Sequence, residues 1–252
     1  MKNVGILCIV VFWLAGCASN QTDLVTQPQD RQKQVAALVD LGVGYLKNGE
    51  YTRAKDNLNR ALELDPRSAP AHTALALIFN FEREFNQAEK QYRLALRSDP
   101  KFTRARNNYG AFLYTQGHTR KAIEQLEIAA KDQFYDERPT VFENLGICYL
   151  QLGERQKAED AFVKSISLNP KQPRALLELA EIRYDQQQYM SSRSLYRRFE
   201  RVSRDGARSL WLCVRLSKVF RDSDREASCA MALRNIYPAS PQFKQYQKMV
   251  GK

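Results

Sequence analysis

Residues 41–66 read LGVGYLKNGEYTRAKDNLNRALELDP, and residues 75–100 read LALIFNFEREFNQAEKQYRLALRSDP. The two stretches superpose with an offset of 34 residues. Leu41-Gly42, Tyr45, Ala54, Leu58, Ala61 and Pro66 of the first become Leu75-Ala76, Phe79, Ala88, Tyr92, Ala95 and Pro100 of the second. Apolar residues three and four apart on either side of a short polar break describe two amphipathic helices. Gly or Ala at Gly42 and Ala76 lets the first helix lie close to the second. The small residues Ala54 and Ala88 do the same from the other side. Pro66 and Pro100 stop the second helix, because proline has no amide hydrogen and clashes with the preceding turn. A helix pair of this size cannot bury its apolar face alone, so it must stack on copies of itself.

The period continues. A third unit carries Tyr109-Gly110, Leu113, Ala122, Leu126 and Ala129, with Phe134 where the proline stood. Two extra residues near Tyr135–Pro139 shift the frame. The fourth unit then carries Leu145-Gly146, Tyr149, Ala158, Phe162, Ser165 and Pro170. The spacing and residue types resemble the tetratricopeptide repeat. Two weaker units follow. In one, Leu179-Ala180, Ser192, Tyr196 and Phe199 hold the spacing, with Arg183 in the usual tyrosine position. In the next, Cys213-Val214, Ala230, Leu233 and Pro238 hold it in part. Ser240-Pro241 reads as a helix cap and first helical residue, with Phe243, Tyr246 and Met249 behind it. The expectation is an all-α chain, a right-handed superhelical solenoid of six repeats (35–68, 69–102, 103–136, 139–172, 173–206 and 207–240) closed by a capping helix at 241–252.

The N-terminus is of another kind. Lys2 precedes the apolar run Gly5–Leu14, too short to span a bilayer, which takes about 20 residues. It has the proportions of a signal peptide and ends in Leu14-Ala15-Gly16-Cys17. This resembles a bacterial lipobox, which implies cleavage after residue 16 and acylation of Cys17. Three acyl chains would anchor the chain firmly. Ala18 follows the cysteine where an Asp would signal inner-membrane retention, so the expected location is the periplasmic leaflet of the outer membrane. The stretch 17–34, rich in Gln, Asp and Thr, reads as a flexible tether. This compartment argues against nucleic acid, the partner that the formal charge of +11 would otherwise suggest.

Chemistry-bearing motifs are sparse. The two histidines, His72 and His118, fall in different repeats. The chain has no phosphate-binding glycine loop, HExxH, GxSxG or paired CxxC. Neither a catalytic site, a metal site nor a cofactor is expected beyond the acyl chains on Cys17, and the reading is of a non-enzyme. Cys148 reads as a small buried hydrophobe. Cys213 and Cys229 fall at similar heights on two antiparallel helices. They form either a disulfide or two core thiols.

Residues 173–252 carry 16 Lys and Arg against 8 Asp and Glu. Arg193, Arg197, Arg201 and Arg204 step by four, four and three, a candidate basic stripe for an acidic partner or anionic headgroups. The alternative is an ordinary solvated helix face. On the concave side of such a solenoid, the first repeat presents Ala36, Val39, Val43 and Leu46, all apolar. No earlier repeat covers them, so they form a candidate groove for an apolar partner segment unless the tether or an extra helix lies over it.

Three further blocks narrow the resemblance. They are Asn107–Leu113 (NNYGAFL), Val141–Gly146 (VFENLG), and Ala207–Leu212 (ARSLWL) followed by Arg215-Leu216. With the lipobox and the six-repeat length, they resemble the type IV pilus biogenesis lipoproteins, the PilF/PilW pilotin family, over essentially the whole chain. That resemblance implies an outer-membrane lipoprotein that binds the pilus secretin and promotes its localisation and multimerisation; the expected oligomeric state is a monomer. A competing reading is a general envelope scaffold that organises peptidoglycan enzymes or outer-membrane protein assembly.

Overall fold

The computed structural model describes residues 28–251. The signal peptide at 1–16, Cys17 and the first part of the tether lie outside the described residues. Thirteen helices and no strand make up the described chain. They form six antiparallel pairs: α1 Pro28–Lys47 with α2 Tyr51–Leu64, α3 Ala69–Phe81 with α4 Phe85–Ser98, α5 Thr103–Thr115 with α6 Thr119–Ala129, α7 Arg138–Gln151 with α8 Arg155–Leu168, α9 Pro173–Asp185 with α10 Tyr189–Glu200, and α11 Ala207–Val219 with α12 Ser223–Ile236. The last helix, α13 Pro241–Met249, packs on α11 and α12.

The first helices of successive pairs touch one another: α1 with α3, α3 with α5, and so on to α9 with α11. The second helices do not, among the described residues. Helices crowded on one side and spread on the other curve the stack. The odd-numbered helices therefore line its concave face.

Close approach within a pair is achieved by the small residues. A Cβ placed on Gly110 would stand 2.6 Å from Leu126 Cγ, and one on Gly42 would stand 2.7 Å from Leu58 Cγ. Both distances are far inside van der Waals contact, so in these two pairs an alanine would force Leu58 or Leu126 to shift. The aromatic and leucine positions of the period are the core: Leu58, Tyr92, Leu126, Phe162 and Tyr196 are all buried. These side chains join neighbouring pairs into continuous apolar clusters along the stack.

The connections between repeats share a device that the period did not reveal. Asp65, Asp99 and Asn169 each accept, through a side-chain oxygen, the backbone N–H two residues on, at 2.9–3.0 Å. These turns close over the prolines and aim the next helix.

Two boundaries differ from the sequence reading. Helix α1 begins at Pro28, so residues 28–34 are helical rather than part of a tether. The run Gln29–Gln34 holds Gln, Arg and Lys, which are good helix formers, and it extends the amphipathic segment upstream. The fifth repeat also ends early. Helix α10 stops at Glu200, so Arg201 is its C-cap and Arg204 lies in the connection to α11. Arg193 to Arg204 therefore do not form one continuous helical stripe.

Arg183 in the tyrosine position of the fifth repeat is absorbed by its surroundings. It pairs with the nearly buried Glu159 of the preceding repeat at 2.6 Å and donates to Gln186 and Gln188.

Candidate functional site

The concave face of the first three repeats holds two adjoining depressions. One, of about 700 Å3, is lined by Val35, Ala36 and Val39 of α1 and by Ala69 and Pro70 at the start of α3. The other, of about 560 Å3, is lined by Val39, Val43 and Leu46, by Thr73 and Leu77 of α3, and by Arg104 and Asn108 of α5. Val39, Asp40, Pro70 and Asp99 border both. The four residues singled out on α1 are thus brought together on this face, but not as one open strip. Ala36 is exposed and Val43 and Leu46 are half-buried. Val39 is 8% exposed and belongs to the first core cluster, because α1 packs on α3 as well as on α2.

The far wall of the second depression comes from the connections, not the helices. Phe102, Phe134 and Tyr135 line it. Phe134 sits in the lengthened segment between α6 and α7 and is 96% exposed. The segment around it is held in place. Thr103 Oγ1 donates to Asp132 Oδ2 at 2.5 Å, and Phe134 N–H donates to Asp132 Oδ1 at 3.1 Å. These two bonds hold the Asp132 carboxyl below its ordinary range. Arg138 Nε closes the segment by donating to the Ala130 carbonyl at 2.9 Å. The periodicity contained a sign of this wall: Phe134 replaces the proline at the one place where the 34-residue frame slips.

The concave face of the last repeats is polar and internally paired. Arg208 makes two parallel bonds to Glu178, at 2.7 and 2.9 Å. Arg215 pairs with Glu181 at 2.6 Å, and its guanidinium lies over the rings of Tyr184 and Trp211. Away from that face, Arg225 of α12 pairs with Glu200 of α10. Three arginines of this half thus tie one repeat to the next. Of the candidate stripe, Arg193 on α10 lies over Phe220 of the next repeat, with its guanidinium carbon 3.9 Å from the ring centre. Arg197 is exposed one turn further on.

The remaining candidate residues have structural surroundings. Cys213 and Cys229 are joined as a disulfide between α11 and α12, with Cα atoms 6.2 Å apart. Cys148 is a buried thiol whose pKa burial pushes up to about 11, so it is not a reactive thiolate at neutral pH. His72 is buried, with Nδ1 bonded to Gln91 at 2.7 Å and Nε2 to the Pro66 carbonyl at 3.1 Å. His118 is exposed at the start of α6. Among the described residues no group of three or more His, Cys, Asp or Glu is placed to hold a metal ion. No helix among them is long and apolar enough to cross a membrane.

The tetratricopeptide repeat family matches residues 35–68, 69–102 and 139–172. The type IV pilus assembly protein PilF of Pseudomonas aeruginosa is 40% identical over 247 residues, 97% of this chain and 98% of that protein. The chain belongs to this family of type IV pilus assembly proteins. A solved structure of Pseudomonas aeruginosa PilF superposes with a TM-score of 0.85 at 42% identity, covering 87% of this chain and 99% of that one. The structure of the pilus biogenesis factor PilW shares the fold, with a TM-score of 0.72 at 23% identity, over 84% of this chain and 97% of that one. Members of the family are non-enzymatic scaffolds, and the repeat array is a protein–protein interaction surface used in pilus assembly.

Proposed function

We propose that this chain is a pilotin: an outer-membrane lipoprotein, acylated at Cys17, that binds the type IV pilus secretin and promotes its localisation and multimerisation. Membership of the pilus assembly family, together with the lipobox of residues 14–17, supports that assignment. The observation that carries the binding role is the concave depression walled by Val43, Leu46, Leu77 and Phe134. It offers apolar side chains around a recess, with Asn108 to meet polar groups of a bound chain. Apolar recesses with a few placed polar groups are the usual form of a peptide-recognition surface. The acyl chains supply the location and the stacked helices a rigid surface.

The test compares secretin multimers and their membrane fraction in cells with and without this protein. Loss of multimers on deletion, restored by the wild-type gene, is the expected result. Val43→Asp and Phe134→Ala should fail to restore them while the variant protein accumulates normally. Val39→Asp is a poor probe, because it would bury a charge in the first core cluster. Cys17→Ser should move the protein from the membrane to the soluble fraction. Normal secretin with altered cell shape would instead favour the general envelope scaffold.

A further inference from the structure

The ion pairs of the last two repeats leave several arginines without a carboxylate, Arg193 and Arg197 among them. Arg183, Arg208, Arg215 and Arg225 each have a carboxylate partner. Arg193 and Arg197, one helical turn apart on α10, have none among the described residues. Like charges at this spacing repel, so the arrangement is unfavourable until an anion joins it. Arg193 is nevertheless held. Its guanidinium carbon stands 3.9 Å from the centre of the Phe220 ring, and one Nη donates to the weak acceptor Met190 Sδ at 3.5 Å. A guanidinium fixed on an aromatic face has already lost much of the rotamer freedom that binding would otherwise remove.

Both side chains border a small notch of about 30 Å3 between α10 and the α11–α12 turn. Tyr196 and Phe220 contribute its aromatic walls, and Arg225 stands on the opposite rim. Two carboxylates are also near. Glu200 is engaged by Arg225, and Asp222 borders the notch while its Oδ1 accepts the Arg225 N–H to cap α12. Neither makes an ion pair with Arg193 or Arg197.

We propose that this notch is an anion site for a single carboxylate, taken from an acidic side chain of a partner protein. The notch, of about 30 Å3, has room for a small head group such as a side-chain carboxylate and not for a nucleotide or a sugar. The recess selects a side chain that can reach into it. A flat layer of lipid headgroups would meet the exposed Arg201 and Arg204 as well. Planar guanidinium edges match a carboxylate in bidentate geometry. The site is separate from the apolar depression of the first repeats and does not depend on the pilotin assignment.

The test uses the full chain purified in detergent micelles. The probe is an acetylated, amidated hexaglutamate peptide at low salt, with phosphatidylcholine vesicles containing phosphatidylglycerol as the second arm. The expected result is peptide binding that weakens about tenfold in Arg193→Gln/Arg197→Gln and no more than about twofold in Arg201→Gln/Arg204→Gln. Arg193→Lys/Arg197→Lys keeps the charge but removes the planar fork, so it should still weaken binding several-fold. That variant also serves if the glutamine pair melts early. Phe220→Leu, which frees Arg193, should cost a few-fold. No binding by the wild-type chain, or equal loss in the two glutamine pairs, would overturn the proposal. So would vesicle binding through Arg193 and Arg197 without peptide binding.

Discussion

Single residues set the helix spacing, and one helix holds both the test and its control. Gly42 and Gly44 both lie in α1. A Cβ on Gly42 would stand 2.7 Å from Leu58 Cγ, 2.9 Å from Leu58 Cδ2 and 3.3 Å from the Ala54 carbonyl, whereas one on Gly44 meets nothing within 4 Å. Gly44→Ala should therefore stabilise by up to about 1 kcal/mol through helix propensity. Gly42→Ala should instead destabilise by about 1–3 kcal/mol, because the pair of helices must move apart. Thermal unfolding of the two variants checks the opposite signs. Glu143 supplies a second prediction. Burial pushes its carboxyl above the ordinary range, against the N–H of Ala175 and the charge of Arg174. A folded-state pKa above the unfolded one means stability that is present below the ordinary carboxylate range and lost as pH rises through the raised value. Glu143→Gln can still accept the Ala175 N–H, so its stability should stay flat across that window while the wild type declines. Urea melts between pH 4 and pH 7 would show it.

At the scale of elements, the sixth helix pair is built differently from the others. Helix α13 has no fully buried residue, so the pair it covers is less shielded than those in the middle of the stack. The disulfide Cys213–Cys229 spans a sequence separation of 16 and ties α11 to α12. Closing a loop of that length contributes about 3 kcal/mol in the chain-entropy account. Reduction should lower the unfolding midpoint, and hydrogen exchange should rise first in α11–α13. Mass analysis of alkylated protein should find Cys148 as the free thiol among the described cysteines. The α6–α7 connection is the other departure from regularity. Its ordering rests on Asp132, whose depressed carboxyl contributes above the ordinary range and stops contributing as pH falls through its lower value. Thr103→Val should loosen the connection without disturbing α5 or α7, seen as faster exchange at 131–137.

For the molecule as a whole, each pair touches only its neighbours, so stability is close to a sum of local terms. Phe162 is fully buried beneath Gly146 and joins the fourth repeat to the fifth. Phe162→Ala should cost about 3–5 kcal/mol through the cavity it leaves. In a globular core that loss would be felt everywhere. Here exchange protection should fall in α7–α10 and persist in α1–α2. Uniform loss of protection along the chain would contradict the one-dimensional description.

The 34-residue period and its small, aromatic and proline positions determined the helix pairs, their order and the residues of the core, because each of those positions is required locally in every repeat. The blocks at 107–113, 141–146 and 207–216 pointed to the pilus assembly family. Tertiary structure alone decided the site. Val39 and Val43 look alike in the sequence, yet α3 covers one and leaves the other at the edge of a recess, since burial depends on the neighbouring helix. Phe134 reads as a defect in the period until its connection is seen folded against Thr103. The arginines of the last repeats read as one charged run. Only the folded chain distributes them between carboxylates of the preceding repeat and an unpaired set on α10, because partners about 30 residues apart meet only when the repeats stack.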